Sequence, residues 1–121
     1  MVQGQGEQVK AADTVNTVEL VGRVAAEPEA RELPSGDVLW CFRVVVPRAQ
    51  ASHSGRSLVD ALECVAWTKR SQRSVSGWRT GDTVSVTGSL RRRFFGTGAV
   101  RQSRVEVEML RGKIIRRADC A

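Results

Sequence analysis

Arg91, Arg93 and Phe95 stand at alternate positions at the end of the stretch TVSVTGSLRRRFF, Thr83 to Phe95. A guanidinium can hold a phosphate and an aromatic ring can take a base on its face, so this row has the chemistry of a single-stranded nucleic-acid surface. It has equally the pattern of a solvated hairpin edge, where charge guards unpaired backbone against mispairing. Arg92, on the opposite parity, and Arg43, inside another strand pattern, carry the same group in places less suited to this role. A second ring stands out upstream. Trp67 falls on the polar parity of LVDALECVAW, where a large exposed ring needs a reason.

No other residues assemble into a reactive set. The single histidine, His53, sits in the small, polar stretch RAQASHSGRS without a Ser, Cys or Asp at any recognisable spacing, and reads as a loop residue. The three cysteines, Cys41, Cys64 and Cys120, show no CxxC spacing and no nearby histidine, so no metal is expected. Cys41 and Cys64 lie in apolar strand patterns and read as small buried hydrophobes, whereas Cys120 at the chain end reads as exposed and reactive. No catalytic residue and no cofactor is expected, and an enzyme is the reading ranked last.

The elements that must position the row follow from period and punctuation. At 121 residues with 41% apolar and 26% charged composition, the chain has room for one domain with a modest core. No apolar run approaches a bilayer's thickness, and the polar start MVQGQGEQVKAADTV has no signal-peptide pattern, so a cytoplasmic protein without membrane contact is expected. Residues 1–67 hold six Lys or Arg against nine Asp or Glu, and residues 68–118 hold thirteen against three, so the second half faces a polyanion.

Residues 1–15 read as a flexible arm. TVELVGRV puts Val18, Leu20, Gly22 and Val24 on one side of a first strand, with Gly22 marking a bulge or a close backbone crossing. Pro28 interrupts pairing, and Pro34 to Asp37 forms a turn in which Gly36 takes positive φ. VLWCFRVVV is a central strand that places Trp40, Phe42, Val44 and Val46 on one face. In the third strand Leu62, Cys64 and Ala66 point inward, opposite Ala61, Glu63, Val65 and Trp67. Thr68 to Trp78 is a short helix that plugs one end of the sheet with Val75 and Trp78.

In the fourth strand Val84, Val86, Gly88 and Leu90 form the buried side. After the tip GTGAV, a fifth strand buries Val105, Val107 and Met109 and exposes Arg104, Glu106 and Glu108. Three strands, a helix and a hairpin predict an all-β OB-fold over residues 16–111. This is a five-stranded Greek-key barrel with one short helix between its third and fourth strands, followed by a basic tail over residues 112–121.

TVELVGRV, ELPSGD, FRVVVPR, ECVAWTKR and GDTVSVTGSLRRR, in uninterrupted order from about Asn16 to Leu110, resemble the successive signatures of the bacterial single-stranded DNA-binding protein (SSB) family. The resemblance implies a homotetramer of OB-folds wrapping single-stranded DNA in replication, recombination or repair. Trp67 and Phe95 occupy positions of family stacking aromatics; Arg91, Arg93, Lys69 and Arg70 would then meet phosphates. Ala61 stands where the family commonly has a tryptophan, Ala49 to Ser52 hold no aromatic, and Trp40 replaces a small residue.

Each missing base stack weakens binding by about 1–3 kcal/mol. The alternative is therefore an OB-fold interaction module with weakened DNA binding, acting through subunit or partner contacts. The sequence ends without the family's linker and acidic tip, as expected of either a truncated piece or a specialised paralogue, so recruitment of replication and repair enzymes is doubtful. Stacking alone does not separate DNA from RNA.

Overall fold

The computed structural model describes residues 10–49, 58–96 and 99–118. Its strands are β1 (Val18–Val24), β2 (Glu29–Glu32), β3 (Val38–Pro47), β4 (Val59–Ala66), β5 (Thr83–Phe95) and β6 (Gln102–Arg116), with one helix, α1 (Lys69–Val75), between β4 and β5. The sheet runs β1-β5-β6-β4-β3-β2, and a second pairing of β1 with β3 closes it into a barrel. All pairs are antiparallel except β4 with β6, whose short parallel contact pairs Cys64 with Val107 and Val65 with Glu108. This is the expected OB-fold, with two additions. β2 pairs with β3 from Glu29 to Glu32, directly after Pro28, so that proline delays pairing without preventing it. β6 continues to Arg116, so residues 112–116 lie within the sheet instead of in the expected tail.

Alternation predicts most of the core. Val24, Phe42, Val44, Cys64, Ala66, Val84, Val86, Val107 and Met109 are buried, and Val18, Leu20, Trp40 and Val46 pack against them. Val75 and Trp78 close the end of the barrel, where Trp78 meets Phe42 edge to face at 5.3 Å. Gly22 marks a close crossing: a Cβ there would collide with the Val45 carbonyl oxygen as β1 passes β3. Gly36 does take positive φ in its turn. Leu90 and Val105 break the expected pattern at 47% and 46% exposure, because the β5–β6 hairpin outgrows the barrel and its inner parity meets water.

Polar contacts fix the ends of the elements. Thr68 caps α1, its hydroxyl accepting from the Ser71 backbone N–H at 3.1 Å. Asp82, 1% exposed, accepts from the backbone N–H groups of Arg79 (2.9 Å) and Ala118 (2.8 Å) and pairs with Arg117 at 3.1 Å, tying the end of the chain to the turn before β5. Asn16 clasps the β5 edge, donating to the Leu90 carbonyl at 2.9 Å and accepting from its N–H at 2.8 Å. In the expected N-terminal arm, Ala11–Asp13 form one 3-10 turn with no buried residue. His53, Cys120, Gln50 to Ser52 and residues 1–9 lie outside the described residues.

Candidate nucleic-acid interface

Odd positions of β5 stay on the outer face from Ser85 to Phe95, while the even positions up to Gly88 are buried. Antiparallel pairing sets Arg93 opposite Arg104, and Arg91 opposite Glu106. The Arg93 guanidinium lies over the Trp67 ring at 4.8 Å, and that of Arg104 lies over Phe95 at 5.1 Å. Two rings from distant parts of the chain are thus joined through two guanidiniums on one outer face. A groove of about 270 Å³ runs beside them, with Leu39, Cys41 and Val65 as its apolar floor and Arg31, Arg93 and Arg104 among its walls. Val65, read from alternation as an outer residue, is 3% exposed, packed into the floor of this groove among the side chains that line it.

Trp67 stands just beyond β4, and its position is set by α1. The Gln72 side-chain amide nitrogen lies within hydrogen-bond distance of the carbonyls of Trp67 (3.1 Å), Ala66 (3.1 Å) and Val38 (2.8 Å), binding the helix to the ends of β4 and β3. Phe95 is set by the β5–β6 register, through its pairing with Gln102.

The arginines of the row are not idle. Arg93 pairs with Glu106, whose side chain is only 6% exposed, and Arg91 pairs with Glu108 at 2.8 Å. Arg43 pairs with Glu63 on the same side of β3 and β4. Glu106, expected to be an exposed outer residue, is buried under this ion pair. Arg92, on the other face, donates to the Ser103 hydroxyl at 3.0 Å. Lys69 and Arg70 are exposed in the first turn of α1, and Arg70 lines a different groove, beside Arg111 on β6. The structure therefore brings together Trp67, Arg93 and Phe95, keeps Arg91 on the same face in a carboxylate pair, and leaves Arg70 elsewhere.

Arg31, Arg104 and Glu106 belong to the groove and were not singled out from sequence. For Arg104 and Glu106 a signal existed: folding the hairpin about its glycine-rich tip places them opposite Arg93 and Arg91. For Arg31 none existed, since its strand was not foreseen. Burial pushes the Cys41 thiol above its ordinary pKa; Arg31 opposes the shift, while Glu106 and Glu63 add to it. Burial also pushes Cys64 up to about 12, with Glu63 and Glu106 contributing. Among the described residues no group of three or more His, Cys, Asp or Glu could hold a metal ion, and no helix is long and apolar enough to cross a membrane.

Residues 15–114 match the single-strand binding protein family. The chain belongs to that family. Family relatives include the Bacillus cereus "Single-stranded DNA-binding protein", 33% identical over 65% of this chain and 46% of that protein. The Bacillus subtilis "Single-stranded DNA-binding protein A" is 32% identical over the same shares. The chain spans about half the length of these relatives. A solved structure titled "Plasmodium falciparum SSB complex with ssDNA" shares the fold, with a TM-score of 0.69 over 85% of this chain and 95% of that one, at 24% identity.

Proposed function

We propose that this protein binds single-stranded DNA with little regard to sequence, stacking bases on Trp67 and Phe95 and meeting phosphates with Arg93, Arg104 and Arg31, joined by Arg91, Lys69 and Arg70 along the strand's path. The observation that carries this is the convergence of Trp67 and Phe95, each under a guanidinium, on one groove-bearing face of an OB barrel. Every base offers a π-face and every nucleotide a phosphate, so such a surface tolerates any sequence. The family, and relatives named for the same activity, support the reading. No step in it requires bond chemistry. Its place would be replication, recombination or repair.

Tryptophan fluorescence during titration with an oligo-dT of about 30 nucleotides tests it. Quenching that weakens as salt rises and falls away in Trp67→Phe is expected. Equal affinity for duplex, or affinity indifferent to salt, would overturn it. Replacing Trp67 by Ala should weaken binding by about 1–3 kcal/mol, the worth of one base stack.

Assembly into a homotetramer belongs to the same proposal. The exposed Leu90, Phe94 and Val105, together on the back of the projecting hairpin, support a subunit contact there. A sedimentation mass of one chain at micromolar concentration would remove that part.

The second reading, an interaction module with weak DNA binding, draws on the carboxylate partners of Arg91 and Arg93. It predicts an unchanged affinity in Trp67→Ala.

A further inference from the structure

The groove beside the two rings holds a carboxylate that its neighbours leave half used. Glu106 lines this groove with a side chain only 6% exposed. One of its oxygens accepts from the Arg93 Nε–H, and among the described residues no donor reaches the other. An ionised carboxylate has about four acceptor positions, and leaving them empty where water is largely excluded is costly. The groove therefore suits a partner that donates hydrogen bonds.

A phosphodiester has no proton to donate, and Glu63 stands on the same groove as a second carboxylate. The walls can meet phosphates, but the floor of Leu39, Cys41 and Val65 is apolar and fits the face of a base. Among the bases, guanine matches the groove most completely. Its Watson–Crick edge carries two adjacent donors for a carboxylate, N1–H and the N2 amino group, while O6 and N7 accept from guanidinium groups. Arg31 and Arg104, on the walls, enter no ion pair among the described residues. Adenine turns a lone pair at N1 towards the carboxylate instead. Thymine has a single donor between two carbonyls, and cytosine has only its amino group.

We propose that this groove is a guanine pocket: one base of the bound strand lies on its apolar floor, and Glu106 accepts from the N1–H and N2 amino group of that base. The pocket rests on the single-stranded DNA reading above and deepens it. Neighbouring nucleotides stack on Trp67 and Phe95 whatever their sequence, and one nucleotide per chain is read.

The test uses fluorescein-labelled oligo-dT of about 8 nucleotides, within the site sizes of one OB-fold, read by anisotropy. One central position carries dG, deoxyinosine or dA, three purines of similar stacking surface. For the wild type, the dG strand should bind about tenfold more tightly than the dA strand, as a bidentate base contact does. Deoxyinosine, which lacks only the amino group of guanine, should fall between them. Glu106→Gln, checked for folding by far-UV circular dichroism, should lose most of that preference. Glu108→Gln removes the same charge two residues along β6 and frees Arg91, yet Glu108 does not line the groove, so the preference should persist. Equal wild-type affinity for the dG and dA strands would overturn the pocket without recourse to any variant. A full preference in Glu106→Gln, or an equal loss in Glu108→Gln, would also overturn it, and each of these results leaves the platform standing. A wild type that binds none of the strands, plain oligo-dT included, would overturn both.

Discussion

The Arg93–Glu106 pair should respond very unequally to loss of its two partners. Glu106 is 6% exposed and Arg93 41% exposed, so only the arginine can turn to water when its partner goes. Arg93→Met keeps an apolar stem over Trp67 but strands a buried carboxylate, and breaking a buried pair in this way costs about 3–5 kcal/mol. Arg104 faces Arg93 across the ladder and lines the same groove, which places the cost at the lower end, about 3 kcal/mol. Glu106→Gln keeps shape and an acceptor while its abandoned arginine is solvated, so it should cost about 1–2 kcal/mol.

Urea unfolding at pH 7, followed by far-UV circular dichroism, measures both. Equal losses, or a larger loss in Glu106→Gln, would refute the claim that the carboxylate is the buried member of the pair. The same variants report on function. With Glu106 neutral, Arg93 is no longer shared between a carboxylate and a phosphate, so affinity for oligo-dT should rise, and an unchanged or weaker affinity would count against Arg93 as a phosphate contact.

Other features yield separate expectations. Burial alone would raise the Asp82 pKa, but hydrogen bonds from the Ala118 and Arg79 backbone and the charge of Arg117 outweigh it and hold the group below its ordinary value of 3.8. Its contribution is therefore present above about pH 4 and lost as pH falls through the folded pKa; Asp82→Asn should be less stable than wild type at pH 7 in urea and should lose stability less steeply below pH 4. Cys64, pushed from 9.0 to about 12, keeps its proton in the folded state after the unfolded chain has lost it, so stability should decline as pH rises above about 9. A thiol reagent at pH 8 should modify Cys64 only at the rate of unfolding, and rapid modification of the native protein would contradict its burial. Gly22→Ala should lower the urea midpoint markedly, since the new Cβ meets the Val45 carbonyl oxygen, which is backbone and cannot swing aside.

Legibility in the sequence tracked how local the controlling physics is. Strand alternation, turn glycines and the helix plug depend on neighbours a few residues apart, so Phe42, Val44, Val84, Val86, Val75 and Trp78 were placed correctly from pattern. The same rule misassigned Leu90 and Val105, because parity tells which side a residue takes and not where the barrel ends. It also missed that a second, shallower set of contacts on the outer face would bury Val65 and Glu106.

The sequence by itself therefore determined the order of the five long strands and the helix, the inward faces within the barrel, the basic second half and the two rings suited to stacking, since each follows from residue type and spacing. Only the tertiary structure decided which charges remain available. Whether an arginine meets a phosphate or a carboxylate depends on its cross-strand partner, and that depends on register. On one side of the shift at Thr87/Gly88, Arg91 stands opposite Glu106 and pairs diagonally with Glu108; on the other, Arg111 and Lys113 stand opposite hydroxyls. Electrostatic pairing acts through space over a few ångströms, so residues twenty positions apart can cancel or remain open according to a one-residue difference in how two strands meet.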